Sequence, residues 1–284
     1  MSPLVSICCI AYNHVHYIKD ALDGFLLQKT NFDFEIVIHD DASTDGTREI
    51  IEDYVTKYPS IIKSLYQKEN QWSKGARGVF VNYTFSRARG KYIAMCEGDD
   101  YWTDPYKLQK QVDFLEANPE YVLSFHKVKI LKPNGELVDD FITKVPENYE
   151  TQETLVRLGN YIHTPSVVFR NIIKEFPFEF SLSPVGDYFI YILLSEHGKL
   201  KYLEEEMAVY RYGVGIHSAK SSLSMAKTVL SFYTLLISYS KDPKIIQILL
   251  ERNQKNIENF ELLIRNEYRE SFVSNHIFFK TLKS

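Results

Sequence analysis

Residues 91–102 read KYIAMCEGDDYW, an apolar run followed by three carboxylates in four positions, Glu97, Asp99 and Asp100. A short continuous apolar run suits a strand covered on both faces. Neighbouring carboxylates in one turn repel each other, and a bound cation relieves the repulsion. Carboxylate oxygens are hard donors, which select magnesium, manganese or calcium over zinc. A solvated acidic turn gives the same local pattern, so the rest of the chain has to decide. An EF-hand calcium loop is ruled out, because its ligand spacing and terminal glutamate are missing.

Outward from this stretch, strand and helix patterns alternate. Val5 to Tyr12, Phe34 to His39 and Ile61 to Tyr66 are further strand runs. Tyr17 to Leu27 places Ile18, Leu22 and Phe25 on one helical face. A second helix, capped by Asp45 or Thr47, carries Ile51, Val55 and Tyr58 and stops before Pro59. Val79 to Ala88 is a third helix, and Leu108, Val112 and Leu115 mark a fourth, opened by Pro105. Repeated βα units predict an α/β fold with a parallel sheet and helices on both faces. In such sheets ligands bind beyond the carboxyl ends of the strands. Three strand ends carry chemistry here: Ala11-Tyr12-Asn13, Asp40-Asp41, and Glu97-Gly98-Asp99-Asp100.

The second half is more mixed. Tyr121 to Leu131 and Glu136 to Phe141 predict strands joined by a hairpin at Pro133-Asn134-Gly135. Val167 to Arg170 and Met207 to Tyr212 are expected strands around a helix from Tyr188 to His197. From about Ala219 the pattern is helical, with Ile246, Leu250, Ile257, Phe260 and Ile264 in one stripe that Asn253 interrupts. The expected organisation is a catalytic domain over residues 1–218 and a C-terminal helical extension over 219–284.

Composition narrows the function. A formal charge of −4 argues against a nucleic-acid partner, which would need a basic footprint. Cys8, Cys9 and Cys96 lie in apolar runs without metal-binding spacing, so they predict buried thiols and a reducing compartment. The start, MSPLVSICCIAYN, lacks a basic segment and a cleavage site, so a core strand is expected there and not a signal peptide. No apolar run has the length of a membrane span. A cytoplasmic protein follows, soluble or peripheral at the inner face of the membrane.

The chain resembles the family 2 glycosyltransferases, which have the GT-A fold, a Rossmann-like mixed sheet flanked by helices. The resemblance rests on VSICCIAYN, IVIHDDASTDGT, ARGKYIAMCEGDDYW, Gly186-Asp187 and YRYGVGIHS, in order over residues 3–217. It implies an inverting enzyme that uses a nucleotide-sugar donor and a divalent metal, Mn2+ or Mg2+. By the resemblance Ala11, Tyr12 and Asn13 line the nucleotide pocket, and Asp41 bonds the base, usually uracil of UDP. Glu97, Gly98 and Asp99 occupy the DxD positions, with glutamate where the family usually has aspartate. Asp99 is the expected metal ligand, Asp187 the catalytic base, and His217 matches a late histidine near the metal or diphosphate. These roles suit the chemistry. A hydroxyl must lose a proton as it attacks the anomeric carbon, while the departing diphosphate gathers negative charge. One base and no evident nucleophile give a single displacement, hence inversion.

His163 and Thr164 precede a strand and are candidates to face the acceptor, with a structural turn as the alternative. Arg211 has two readings, a phosphate contact or a partner for Glu204 to Glu206. Trp72 can stack on a sugar, Trp102 is expected to buttress the acidic loop, and Lys74 and Arg77 to lie on a solvated face. A sugar nucleotidyltransferase is rejected, because Asn13-His14-Val15-His16 is not a glycine-rich basic loop. A dinucleotide-dependent dehydrogenase fails for want of GxGxxG. The rival from another class is a catalytically silent GT-A-like binding or assembly subunit, favoured only by Glu97. The expected transfer is hexosyl or N-acetylhexosaminyl, onto a glycan or lipid-linked glycan, as in polysaccharide biosynthesis. Residues 241–284 hold eight Lys or Arg against six Asp or Glu. Their apolar and basic mixture fits peripheral membrane contact or a homodimer.

Overall fold

A computed structural model describes residues 2–215 and 221–281, with side chains as far as residue 267. The first half contains β1 (Val5–Ala11), α1 (Ile18–Leu26), β2 (Phe34–Asp40), α2 (Thr47–Lys57) and β3 (Ile62–Tyr66). A π-helical turn, Phe80–Thr84, and a 3-10 turn, Phe85–Arg87, lead into β4 (Tyr92–Glu97) and the two-residue β5 (Tyr101–Trp102). Then come α3 (Lys107–Ala117), β6 (Tyr121–Leu131), β7 (Leu137–Asp139) and α4 (Gln152–Leu158). A 3-10 turn, Thr164–Ser166, precedes β8 (Val168–Arg170), α5 (Phe178–Leu182), α6 (Gly186–Ser195) and β9 (Lys199–Arg211). Two helices close the chain, α7 (Ser222–Tyr239) and α8 (Pro243–Thr281).

The strands form one sheet in the order β3-β2-β1-β4-β8-β6-β9-β5, with β7 beside β6. The first four strands are parallel, as the βα pattern requires. The second half makes the sheet mixed. The short β8 inserts antiparallel between β4 and β6. β6 then pairs in parallel with β9, which starts eight residues before the expected Met207. This is the mixed sheet of a GT-A fold, in place of the all-parallel sheet that the βα repeats alone predict. Register explains where a site can form. Ala11 pairs with Asp40 and Ile10 with Glu97, so the ends of three strands share one edge.

Alternation along the strands sends side chains into two cores. Ile7, Cys9, Ala94 and Cys96 pack with Ile18, Leu22 and Phe25 of α1, Ile51 of α2 and Leu108, Val112 and Leu115 of α3. Cys8, Ile93 and Met95 face the other way, onto α4, α6 and α7. All three cysteines are free and buried. Burial pushes the Cys8 thiol up to about 12, so little reactive thiolate forms. Gly24 permits the close seating of α1 on β5: a Cβ there would lie 2.7 Å from the Trp102 carbonyl oxygen.

The C-terminal helices begin as part of this body. Phe232, Tyr233 and Leu236 of α7 and Ile245, Ile248 and Leu249 of α8 join the core around α6. The buried face of α8 is therefore not the expected stripe. Leu250, Ile257 and Ile264 are 49%, 37% and 43% exposed and Ile246 and Phe260 part-buried, because the contact with α7 and α4 uses a neighbouring face that includes Ile245, Ile248 and Leu249. Among the described residues no helix is long and apolar enough to cross a membrane. The side chains of Phe272, Ile277, Phe278, Phe279, Lys280, Leu282 and Lys283, which motivate membrane contact, lie outside those described.

Candidate active site

The edge where β1, β2 and β4 end gathers the expected donor residues. Ala11 is buried against the base of the turn, while Tyr12 is 36% exposed and open to a ligand. Asn13 takes a left-handed conformation, φ 55°, which asparagine tolerates better than most residues. Its side-chain oxygen accepts from the Thr44 N–H, and its own N–H donates to Ser43 Oγ. Asp45 ties the same loops together, accepting from the N–H groups of Val15 and Thr47.

Asp41 does more than the sequence suggested. Its two carboxylate oxygens accept from the backbone N–H groups of Gln71 and Trp72, at 2.7 and 3.0 Å. The side chain thus fastens the segment after β3 over the donor edge. An ionised carboxylate has about four acceptor positions, so Asp41 keeps capacity for a base N–H.

Glu97, Asp99 and Asp100 each offer an oxygen, all within 4.8 Å of one another. Burial, then Asp99, then Asp187 push the Glu97 carboxyl well above the usual range. Burial, Asp99 and Glu97 do the same to Asp100, whose Oδ2 is buried without a hydrogen-bond partner. A clustered oxygen set with an orphaned buried acceptor fits a hard divalent cation. Gly98 is required between them: a Cβ there would meet Ile18 Cδ1 at 2.9 Å, His14 Nδ1 at 3.0 Å and Ala11 Cβ at 3.1 Å.

Arg211 braces this loop from behind. Its N–H donates to Asp100 Oδ1, and its guanidinium donates to the Asp99 carbonyl and pairs with Asp20. At 7% exposure it serves the fold of the acidic turn, with Asp20 as its ion-pair partner in place of Glu204 to Glu206. Trp102 is buried below, donating Nε1–H to the Pro165 carbonyl. Lys74 pairs with Glu69 on the surface, and Arg77 lies 4.6 Å over the Trp72 ring.

Across from the acidic loop, Asp187 occupies the first turn of α6, where the helix dipole favours a carboxylate. Asn160 Nδ2 and Thr164 Oγ1 both donate to Asp187 Oδ2 at 3.4 Å. His163 lies beside them but is already engaged: its Nε2 is 2.9 Å from Asp140 Oδ2. Burial would raise the Asp140 pKa, yet hydrogen bonds from His163 and Thr143 outweigh it and hold the carboxyl below its usual range. Glu97, His163, Thr164 and Asp187 line one cavity of about 400 Å³, with Trp72, Asn160 and Tyr210. Apolar walls from Ile10, Val79, Phe80, Ile162 and Ile190 complete it. His217 lies outside the described residues. His14, Asn160 and Asp140 were given no role from sequence, and Tyr210 entered only as part of YRYGVGIHS; the packing of distant segments brings them to the site.

A family model described as Glycosyl transferase family 2 matches residues 6–176. The chain belongs to that family. A Mycobacterium tuberculosis relative, an uncharacterized protein, is 39% identical over 221 residues, covering 76% of this chain and 61% of its own. The chain therefore spans less than two thirds of that relative. Among solved structures it is similar to Staphylococcus aureus TarS residues 1–349 in complex with UDP, at 21% identity and a TM-score of 0.61. That match covers 87% of this chain and 70% of the other. The mannosyltransferase PcManGT from Pyrobaculum calidifontis, in complex with GDP-Man and Mn2+, gives 17% identity and a TM-score of 0.63. It covers 89% of this chain and 70% of the other. At such identities these likenesses establish the GT-A fold.

Proposed function

We propose that the chain is an inverting glycosyltransferase. It moves a hexosyl or N-acetylhexosaminyl group from a UDP-linked donor to a hydroxyl of a glycan or lipid-linked glycan. The observation that carries this reading is the cavity that Glu97 of the acidic turn and Asp187 both line. Donor and acceptor chemistry then share one sugar-sized space.

Tyr12 and Asp41 receive the base, the ring by stacking and the carboxylate by accepting the uracil imide N–H. Asp99, with Glu97, holds the divalent cation, Mn2+ or Mg2+, which supplies positive charge against the leaving diphosphate. Asp187, oriented by Asn160 and Thr164, accepts the proton of the acceptor hydroxyl. The hydroxyl oxygen forms its bond to the anomeric carbon as the bond to the diphosphate oxygen breaks, with that electron pair leaving on the diphosphate. The apolar walls restrict water that would otherwise intercept the sugar. His163, held by Asp140, orders the acceptor side together with Thr164.

Calorimetry with UDP, GDP and ADP in the presence of manganese tests the donor assignment. UDP should bind most tightly, and a chelator should weaken it strongly; tighter binding of GDP overturns the uridine reading. Steady sugar transfer from a UDP-sugar distinguishes an enzyme from a silent assembly subunit.

A further inference from the structure

We propose that His14 Nε2 is a direct ligand of the divalent cation, shared with Asp99. The inference rests on the reading of the acidic turn as a cation site and adds a nitrogen to its donor set. The backbone of His14 is fixed from both ends. Its N–H donates to Thr47 Oγ1 at 2.7 Å, and its carbonyl accepts from the N–H groups of Tyr17 and Ile18. The ring is therefore delivered to one place, the gap between β1 and the turn after β4.

The contacts there are selective. Nε2 stands 3.9 Å from Asp99 Oδ2, with side-chain exposures of 17% and 10%. That separation is too long for a hydrogen bond. Ligands about 2.1 Å from an octahedral cation lie about 3.0 Å apart when adjacent and about 4.2 Å apart when opposite, so closing the gap by about 0.9 Å puts both atoms on one ion as neighbours. The other ring edge is closed: Nδ1 is buried without a hydrogen-bond partner, against the bare Cα of Gly98. No protein group fixes the tautomer through Nδ1, so whatever binds Nε2 sets it. Gly98 leaves the imidazole its room, since an added Cβ would sit 3.0 Å from Nδ1. The absence of a side chain in the turn and the position of the ring are thus one arrangement.

A nitrogen donor changes which ion the site prefers. Carboxylates alone suit magnesium and manganese, whereas imidazole favours the transition metals. A site with His14 in its shell selects Mn2+ over Mg2+.

Mn2+ bound to the full chain, alone and with UDP, is read by electron spin-echo spectroscopy for coupling to ligand nitrogen. Coupling is expected in the wild type and in His217→Gln, and is lost in His14→Gln. The same variant should bind Mn2+ about ten-fold more weakly while Mg2+ affinity stays within about two-fold. Gly98→Ala, which crowds the ring without removing it, should reduce the coupling too. Thermal unfolding confirms that each variant is folded. Coupling that survives in His14→Gln, or a wild-type complex without nitrogen coupling, overturns the inference and leaves the glycosyltransferase reading intact. Failure of Mn2+ to bind at all overturns both.

Discussion

Lys107 has no exposed surface, and its ammonium donates to Gln111 Oε1 at 2.7 Å and lies 4.1 Å over the Trp102 ring. Burial pushes its pKa down from 10.5 to about 7. The unfolded chain therefore holds a proton that the native chain releases between those values, and stability rises with pH across that window. At and below pH 7 the lysine costs folding about 5 kcal/mol, and the cost disappears near pH 10.5. The cation–π contact with Trp102 favours the ammonium by about 2 kcal/mol and reduces this. Lys107→Met removes the titration and leaves Gln111 Oε1 without its donor, at a cost of about 1–3 kcal/mol. Urea unfolding of wild type and variant near pH 7 and near pH 9.5 separates the two effects. The stability difference should move in favour of the wild type by about 1–3 kcal/mol on going to the higher pH. An equal difference at both pH values would show that Lys107 remains fully charged in the native state and refute the reasoning.

Asp187→Asn should bind UDP nearly as the wild type does and transfer sugar more slowly by on the order of 10²-fold or more; wild-type rates at neutral pH would move the base elsewhere. Gly24→Ala forces a methyl against the Trp102 backbone and should cost about 1–3 kcal/mol, seen as a Tm several degrees lower. An unchanged Tm would mean that α1 can shift freely on β5.

The donor half of the fold was legible because its signals are local. β1, β2 and β4 are apolar runs that stop at polar residues, and register then forces Ala11, Asp40 and Glu97 together. The start of β9 was not legible. Lys199 to Glu206 is largely polar and part-exposed, and it is a strand only because β6 lies beside it. Likewise α5 is five residues behind Pro177, too short to show a helical period. On α8 the apolar stripe is only part-buried, at Ile246 and Phe260, and the buried positions Ile245, Ile248 and Leu249 lie beside it, because periodicity gives a stripe but not the partner that covers it. In the site, Asp41, Asp99 and Asp187 follow strand ends or a helix start and could be named. His14 was given no role and Arg211 was given other partners, since they meet the acidic turn across 85 and 112 positions of chain.

The grip of Asp41 on Gln71 and Trp72 couples two properties that are usually separate. The carboxylate assigned to choose the base is also the clasp of the strap that carries Trp72 to the sugar cavity. Exchanging Asp41 to suit another nucleotide would undo the clasp, and with it the wall beside the sugar. On the proposed assignment, base preference and sugar preference would be tied at one side chain, so a change of donor would call for a new fastening of residues 67–79 before a new base contact could be of use.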